Sequence, residues 1–292
     1  MNGPGYIAPE KLEDALCAKN EHGAAARVIA GGTDLILRMR AGVLTPALLI
    51  DLRRMSLNSI SESGGNLRLG ACVTQAQILA DPGCAERYPA LVSACREFAG
   101  PPIRNRGTIG GNLVNASPAA DLVPPLLAYD ASVVLASTSG VRAVTLAEFF
   151  TGPGETVMEP EEILTEVSLP LMPPRTASRF SKLGQRRSMA ISIVNLATRL
   201  TLGDSCRVRE ARIALGAVAP TPIRAVAAEE LLIGEEPTND LLALVAEKAG
   251  RETSPITDVR ASKSYRVRMT EVLVRRALEA NRVDLWRKES GD

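Results

Sequence analysis

Phe98-Ala99-Gly100-Pro101-Pro102-Ile103-Arg104-Asn105-Arg106-Gly107-Thr108-Ile109-Gly110-Gly111-Asn112-Leu113-Val114-Asn115-Ala116-Ser117-Pro118-Ala119-Ala120-Asp121 is the stretch on which the reading of this chain turns. A segment that builds a core seldom gives so many positions to glycine, proline, Asn, Ser and Thr, which supply backbone amides and short polar groups in place of apolar volume. It reads as a loop made to touch a ligand. Gly110 and Gly111 permit close backbone approach, Thr108 and Asn112 can hydrogen-bond a diphosphate or a polyol, and Asp121 can accept from ligand hydroxyls.

A second glycine loop lies upstream, in Val28-Ile29-Ala30-Gly31-Gly32-Thr33-Asp34-Leu35, where a short apolar strand runs through two glycines into a helical pattern. Adjacent glycines let several amides point one way, and the helix start adds a partly positive end, so the loop can cradle a phosphate. It is neither Gly-x-Gly-x-x-Gly nor a Walker loop. Taken alone it reads equally well as a helix start capped by Thr33 or Asp34. Gly3-Pro4-Gly5 and Gly152-Pro153-Gly154 read as turns, and Gly64-Gly65-Asn66 as a hairpin turn between strands.

Working outward, residues 1 to about 55 predict a small α/β unit: helix Glu10–Lys19 and strands Arg27–Ala30 and Leu48–Asp51. Residues 56 to about 174 predict strands Leu57–Ser61, Leu67–Gly70, Ser132–Ala136, Val141–Val144 and Glu162–Leu169, with helices Thr74–Ala80 and Ala90–Ala99. Pro170-Leu171-Met172-Pro173-Pro174-Arg175 is dense in proline, which lacks the amide proton a regular element needs, and marks the domain boundary. Beyond it, in 175–292, strands Ile191–Leu202 and Val208–Val218 precede helices Ala225–Leu232, Asp240–Ala249 and Ser264–Asn281. Strands followed by helices make an α+β domain. No internal repeat or low-complexity tract is present.

The chain has 292 residues, 46% of them hydrophobic, enough for one large core or two medium ones. Its 34 basic and 33 acidic residues nearly cancel, and no basic stripe interleaved with aromatics exists, which argues against nucleic acid as a partner. With neither a basic-then-apolar leader nor an apolar run of roughly 18 residues, no membrane span is expected and a cytoplasmic location is. Cysteines at 17, 72, 84, 95 and 206 have neither disulfide-framework nor metal-ligand spacing, so no metal site is expected. The single histidine, His22, sits in a polar turn-like stretch, and no catalytic residue is assigned to it or to any other position.

Ala-Gly-Gly-Thr-Asp, Gly-Thr-Ile-Gly-Gly-Asn and Ala-Ser-Pro-Ala-Ala-Asp, in that order over nearly the whole chain, resemble the medium, FAD-binding subunit of the molybdenum hydroxylases, the xanthine dehydrogenase and carbon monoxide dehydrogenase group. The resemblance implies an α+β fold: a two-part FAD-binding domain of the vanillyl-alcohol-oxidase-like type, then a C-terminal α+β domain of antiparallel sheet plus helices. It also implies noncovalent FAD, held by Ala30, Gly31, Gly32, Thr33, Asp34, Leu35 and Ile36 and by Thr108, Ile109, Gly110, Gly111 and Asn112. Phe98, Asp121, Leu164 and Lys182 fall where the family contacts FAD. For Leu164 and Lys182 a strand core residue and a solvated lysine are the alternatives. Gln185-Arg186-Arg187-Ser188-Met189-Ala190-Ile191-Ser192 matches the loop near the isoalloxazine edge, with Ile191 packing by the ring.

Two departures stand out. The 4-hydroxybenzoyl-CoA reductase flavoprotein carries an inserted cysteine-ligated cluster loop that this chain lacks. Some relatives place an aromatic ring over the flavin where this chain has Met189 and Ile191. The resemblance implies an electron-transfer subunit that takes electrons from partner iron–sulfur clusters and passes them to NAD or another acceptor. Molybdopterin and the 2Fe-2S clusters are then expected on a large molybdopterin-binding subunit and a small iron–sulfur subunit. A self-contained FAD oxidoreductase and a non-catalytic scaffold are the competing readings.

Overall fold

Short apolar runs alternating with helices build the first unit of the computed structural model, which describes residues 3–186, 188–203 and 205–290. Strand β1 (Gly5–Ile7), helix α1 (Leu12–His22), β2 (Ala26–Ile29), α2 (Leu35–Arg40) and β3 (Leu48–Asp51) follow one another, and the strands pair in parallel in the order β1-β3-β2. All four residues of the central β3 are buried, as expected of a parallel strand with a neighbour on each side. His22 closes α1, exposed to solvent, with Nδ1 3.1 Å from the Ala18 carbonyl oxygen. It lies at a helix end and not in a turn.

The second unit is an antiparallel sheet in the order β4-β5-β10-β6-β7. Its strands are β4 (Ile60–Ser63), β5 (Asn66–Gly70), β6 (Ser132–Ser137), β7 (Gly140–Thr145) and, after the small β8 (Phe150–Gly152) and β9 (Glu155–Thr156) hairpin, the central β10 (Ile163–Pro170). Gly64 and Gly65 turn β4 into β5 with φ of 59° and 75°, the left-handed pair that a tight hairpin requires. Between β5 and β6 run helices α3 (Gln75–Ala80), α4 (Pro82–Arg87), α5 (Pro89–Glu97), α6 (Pro101–Arg104), α7 (Ile109–Val114) and α8 (Val123–Ala128), and α9 (Leu146–Phe149) follows β7. The expected loop over 98–121 is thus interrupted by two short helices. Proline explains the difference: at a first helical position its missing amide proton costs nothing, so Pro82, Pro89 and Pro101 open helices instead of breaking them.

The C-terminal sheet runs β11 (Thr176–Gly184), β12 (Ser192–Leu202), β13 (Val208–Gly216) and β14 (Ile223–Arg224), antiparallel and in that order. It is followed by α10 (Val226–Glu230), α11 (Asn239–Arg251) and α12 (Lys263–Ser290). All eleven residues of β12 are buried because both faces are covered. On one face Val194, Leu196 and Leu200 join the helices' apolar core, and Thr198 accepts a hydrogen bond from Asn281 of α12. On the other, Asn195 and Arg199 reach Asp121 and Asp130 of the second unit, and Ala197 joins that unit's core. Strand β11 escapes the sequence reading because its polar residues hide the strand pattern; Ser178, Arg179 and Lys182 are each engaged by Tyr129, Asp284 and Asp121. Other boundaries shift: β4 begins at Ile60 rather than Leu57, β12 at Ser192 rather than Ile191, β13 stops at Gly216, and α12 runs on to Ser290 rather than ending at Asn281.

Asp130, just after α8, receives Arg199 at 2.9 Å, Arg212 at 2.8 Å and Arg224 at 3.3 Å, so one carboxylate joins the second unit to three strands of the C-terminal sheet. Arg199 is almost fully buried; burial lowers its pKa and Asp130 works against that shift. Removing the acid would leave that buried cation with Glu210 alone, 3.1 Å away. Asp130 has φ 52°, which asparagine tolerates, so Asp130→Asn isolates the charge. Because the Asp130 side chain is 31% exposed, the expected loss is about 2 kcal/mol, below the range for a fully buried pair. A urea midpoint within error of the parent protein would contradict it.

Candidate functional site

The two glycine loops meet edge to edge. A Cβ placed on Gly31 would stand 1.9 Å from the carbonyl oxygen of Arg106, a position no side chain can occupy, and Arg106 Nε donates back to the Gly31 oxygen at 3.3 Å. Gly32 has φ 71° and turns the chain from β2 toward α2. The first α2 turn begins there, as Ile36 N donates to Gly32 O, and among the described residues the amides of Thr33 and Asp34 have no acceptor. Neither Thr33 nor Asp34 caps the helix with its side chain, contrary to the simple capping reading.

On the other side, Thr108 Oγ1 accepts from Gly111 N and caps α7, while the amides of Ile109 and Gly110 donate to Val73 and Ala71 oxygens. Gly110 and Gly111 lie inside α7 with helical dihedrals. Their absent side chains do different work: a Cβ on Gly110 would be 2.8 Å from Ala71 O, whereas on Gly111 the nearest atom is Thr108 Oγ1 at 3.0 Å. Gly110 therefore packs protein on protein, and Gly111 faces outward.

Between the loops opens a cleft of about 830 Å³, within the range of ligand sites. Ala30, Gly31, Gly32, Thr33, Asp34 and Leu35 form one wall, and Thr108, Gly110, Gly111 and Asn112 the other; Phe98, Asp121, Leu164 and Ile191 also line it. Ile36 and Lys182 lie off the wall, and Ile109 is a fully buried core residue. Leu164 sits on β10 beside a bulge that breaks the register with β6, a common device for re-aiming side chains at a site. Met189 and Ile191, each 57% exposed, border the cleft, and Met189 has φ 55°. Arg187, in the expected ring-edge loop, lies outside the described residues.

Asp121 is not free to receive a ligand hydroxyl as expected. Lys182 Nζ lies 2.5 Å from its Oδ2, and Ser192 Oγ and Asn195 Nδ2 donate to its Oδ1 at 2.6 and 2.9 Å. Lys182 is thereby buried against Asp121 and is not a solvated lysine. Asn195 has room because its partner across the ladder is Gly216, where a Cβ would fall 2.1 Å from Asn195 Oδ1. Glu162 on the wall is similarly engaged. Hydrogen bonds from Arg142 hold the Glu162 carboxyl below the usual range, with the Glu159 amide adding to them.

Sequence reasoning missed Lys19, Arg27 and the segment Glu159–Ile163, which close one end of the cleft. Nothing local marks them: Lys19 sits in an ordinary helix, and its ammonium, its pKa lowered by burial, donates to the Gly23 and Ala26 carbonyls. Among the described residues Asn112 Oδ1 is buried without a partner.

Residues 2–172 match the family model described as the FAD binding domain in molybdopterin dehydrogenase, and residues 179–280 the CO dehydrogenase flavoprotein C-terminal domain. The putative xanthine dehydrogenase FAD-binding subunit of Escherichia coli K12 is 33% identical over 256 residues, covering 87% of each chain. The nicotine 6-hydroxylase medium subunit of Paenarthrobacter nicotinovorans is 32% identical over 275 residues, 94% of this chain and 95% of that one. A carbon monoxide dehydrogenase structure from Hydrogenophaga pseudoflava, lacking the Mo-pyranopterin moiety of its molybdenum cofactor, superposes with TM-score 0.92 at 31% identity over 96% of this chain and 97% of the other.

The loop contact makes a paired prediction. Gly31→Ala should destabilise the chain by about 1–3 kcal/mol, because two backbones must part. Gly111→Ala should change stability by less than about 1 kcal/mol, the helix-propensity gain offsetting the crowding of Thr108. Chemical denaturation of both variants checks this, and equal costs at the two positions would contradict it.

Proposed function

The chain belongs to the FAD-binding subunits of the molybdenum hydroxylase family of oxidoreductases, and from that premise we propose that it is the electron-transfer subunit of a multi-subunit complex. The observation that carries the proposal is the cleft itself: two glycine loops brought into contact, with amides lacking acceptors on one wall and a partnerless Asn112 oxygen on the other. Amide donors of this kind suit an anionic diphosphate, and a long cleft with apolar Phe98, Leu164 and Ile191 suits the flat groups at the ends of FAD. In this reading the amides of Thr33 and Asp34 hold the diphosphate, Gly111 lets it come close to α7, the Asn112 oxygen accepts from a ligand hydroxyl, and Phe98, Met189 and Ile191 shield the ring. FAD, when bound, supplies the redox chemistry.

This chain's residues bind and orient. Asp121 and Glu162 on the wall are each committed to a basic partner, while Asp34, 4.0 Å from Arg38, and Glu159 stay exposed at its edge. Neither buried carboxylate is free to take a proton from a substrate, which supports a partner-dependent role over a self-contained oxidoreductase. The reading divides the chain at 174/175 into the FAD-binding domain, with its parts near 1–55 and 56–174, and the C-terminal flavoprotein domain. Electrons enter from iron–sulfur clusters of a small partner, fed by a large molybdopterin-binding partner, and leave to NAD or another acceptor. Attachment of FAD is noncovalent: His22 and all five cysteines lie off the cleft wall. Among the described residues no helix is long and apolar enough to cross a membrane.

Purified protein should be yellow, and acid precipitation should release the flavin into solution. The isolated chain should be bleached by dithionite and unaffected by any heterocycle, aldehyde or aromatic substrate of the complex until both partner subunits are added. Full-rate bleaching of the lone, metal-free chain by such a substrate would establish a self-contained oxidoreductase instead. A colourless protein unable to take up FAD would favour a scaffold.

A further inference from the structure

Two glutamines two residues apart at the start of α3, one of them lining the cleft, have opposite fates. Gln77 is fully engaged: its Oε1 accepts from Thr74 N and Oγ1, completing a capping box at the start of α3, and its Nε2 donates to Asn58 O. Gln75 is 1% exposed, and among the described residues neither its Nε2 nor its Oε1 has a partner. A buried amide with both ends unpaired is costly and rare.

The position of Gln75 makes this more than a packing fault. It lines the cleft. Its backbone is held from two sides, by the Thr74 cap and by the Thr74–Thr108 bridge, with Gln75 N donating to Gly107 O. Its Oε1 packs against the backbone of Gly107, where a Cβ would come within 2.8 Å. Gly107 follows Arg106, whose carbonyl abuts Gly31, so the stranded amide lies beneath the junction of the two loops.

Resting on the FAD reading above, we infer that Gln75 is a further cofactor-binding residue, whose side-chain amide donates to the FAD diphosphate at the loop junction. The anchored backbone fixes where the side chain starts, and its head, held by no hydrogen bond among the described residues yet almost fully buried, turns out of its packing toward the anion when the cleft fills. An amide suits this place better than lysine or arginine, since a cation there would be desolvated whenever the cleft is empty.

Gln75→Met keeps the length and removes both polar atoms. The FAD-free full chain should melt at the same temperature or higher, having lost an unsatisfied amide, while its dissociation constant for FAD rises roughly ten-fold. Should that variant not fold, the wild-type protein still decides the matter. The chain contains three glutamines, at 75, 77 and 185, so glutamine-selective 15N labelling yields three side-chain amide signals. Adding FAD should shift the Gln75 pair and leave Gln77 in place. Unchanged FAD affinity in folded Gln75→Met, or a Gln75 signal unmoved by saturating FAD, would overturn the inference while leaving the flavoprotein reading intact. Failure of the wild-type chain to bind FAD would instead remove the reading on which it rests.

Discussion

The contact between Gly31 and the Arg106 carbonyl is the constraint around which this protein is arranged. Two loops from different sheets, one parallel and one antiparallel, approach more closely than any Cβ would allow. Their meeting defines the cleft. Everything upstream serves to deliver Gly31 there at the end of β2, and everything from β5 to α7 serves to deliver Gly107 and Thr108. The chain-closure entropy of that long-range contact is offset by the apolar cores under each loop, since a single backbone contact could not offset it.

The C-terminal sheet is attached to this frame by charge as well as by apolar packing. Asp121 and Asp130 both belong to the second unit, and both are bound by basic residues of the sheet. Buried charges tolerate little displacement, because a lost partner leaves an uncompensated ion in a low-dielectric interior. The two aspartates therefore hold the sheet in register with the cleft, and the Met189–Ile191 segment, leading into β12, is carried to the rim as a result. Gly216 contributes indirectly, by leaving the space in which Asn195 can turn toward Asp121.

Much of the candidate site was readable in the chain because its signals are local. Glycine pairs after a short strand, a Thr three residues before Gly111, and a run of small polar residues each have direct backbone consequences. The Gly64-Gly65 turn was legible for the same reason. Misreadings arose where one residue type supports two structures: the Pro101 of a stretch read as loop opens a helix, and the mixed polar pattern of β11 concealed a strand in which Ser178, Arg179 and Lys182 find distant partners.

The sequence by itself determined the α+β class, the place of its longer strands and helices, the two loops, and the absence of a charge pattern suited to nucleic acid. Only the tertiary structure decided what those residues are for. Gly31 and Gly110 make room for protein backbone, Asp121 answers Lys182, Ser192 and Asn195, and Gln75 is left without a partner beneath the loop junction. The reason is physical: propensity and turn chemistry act over a few neighbouring residues, whereas steric exclusion and the pairing of buried polar groups depend on residues such as Gly31 and Arg106, or Asp121 and Asn195, that only the folded chain brings together.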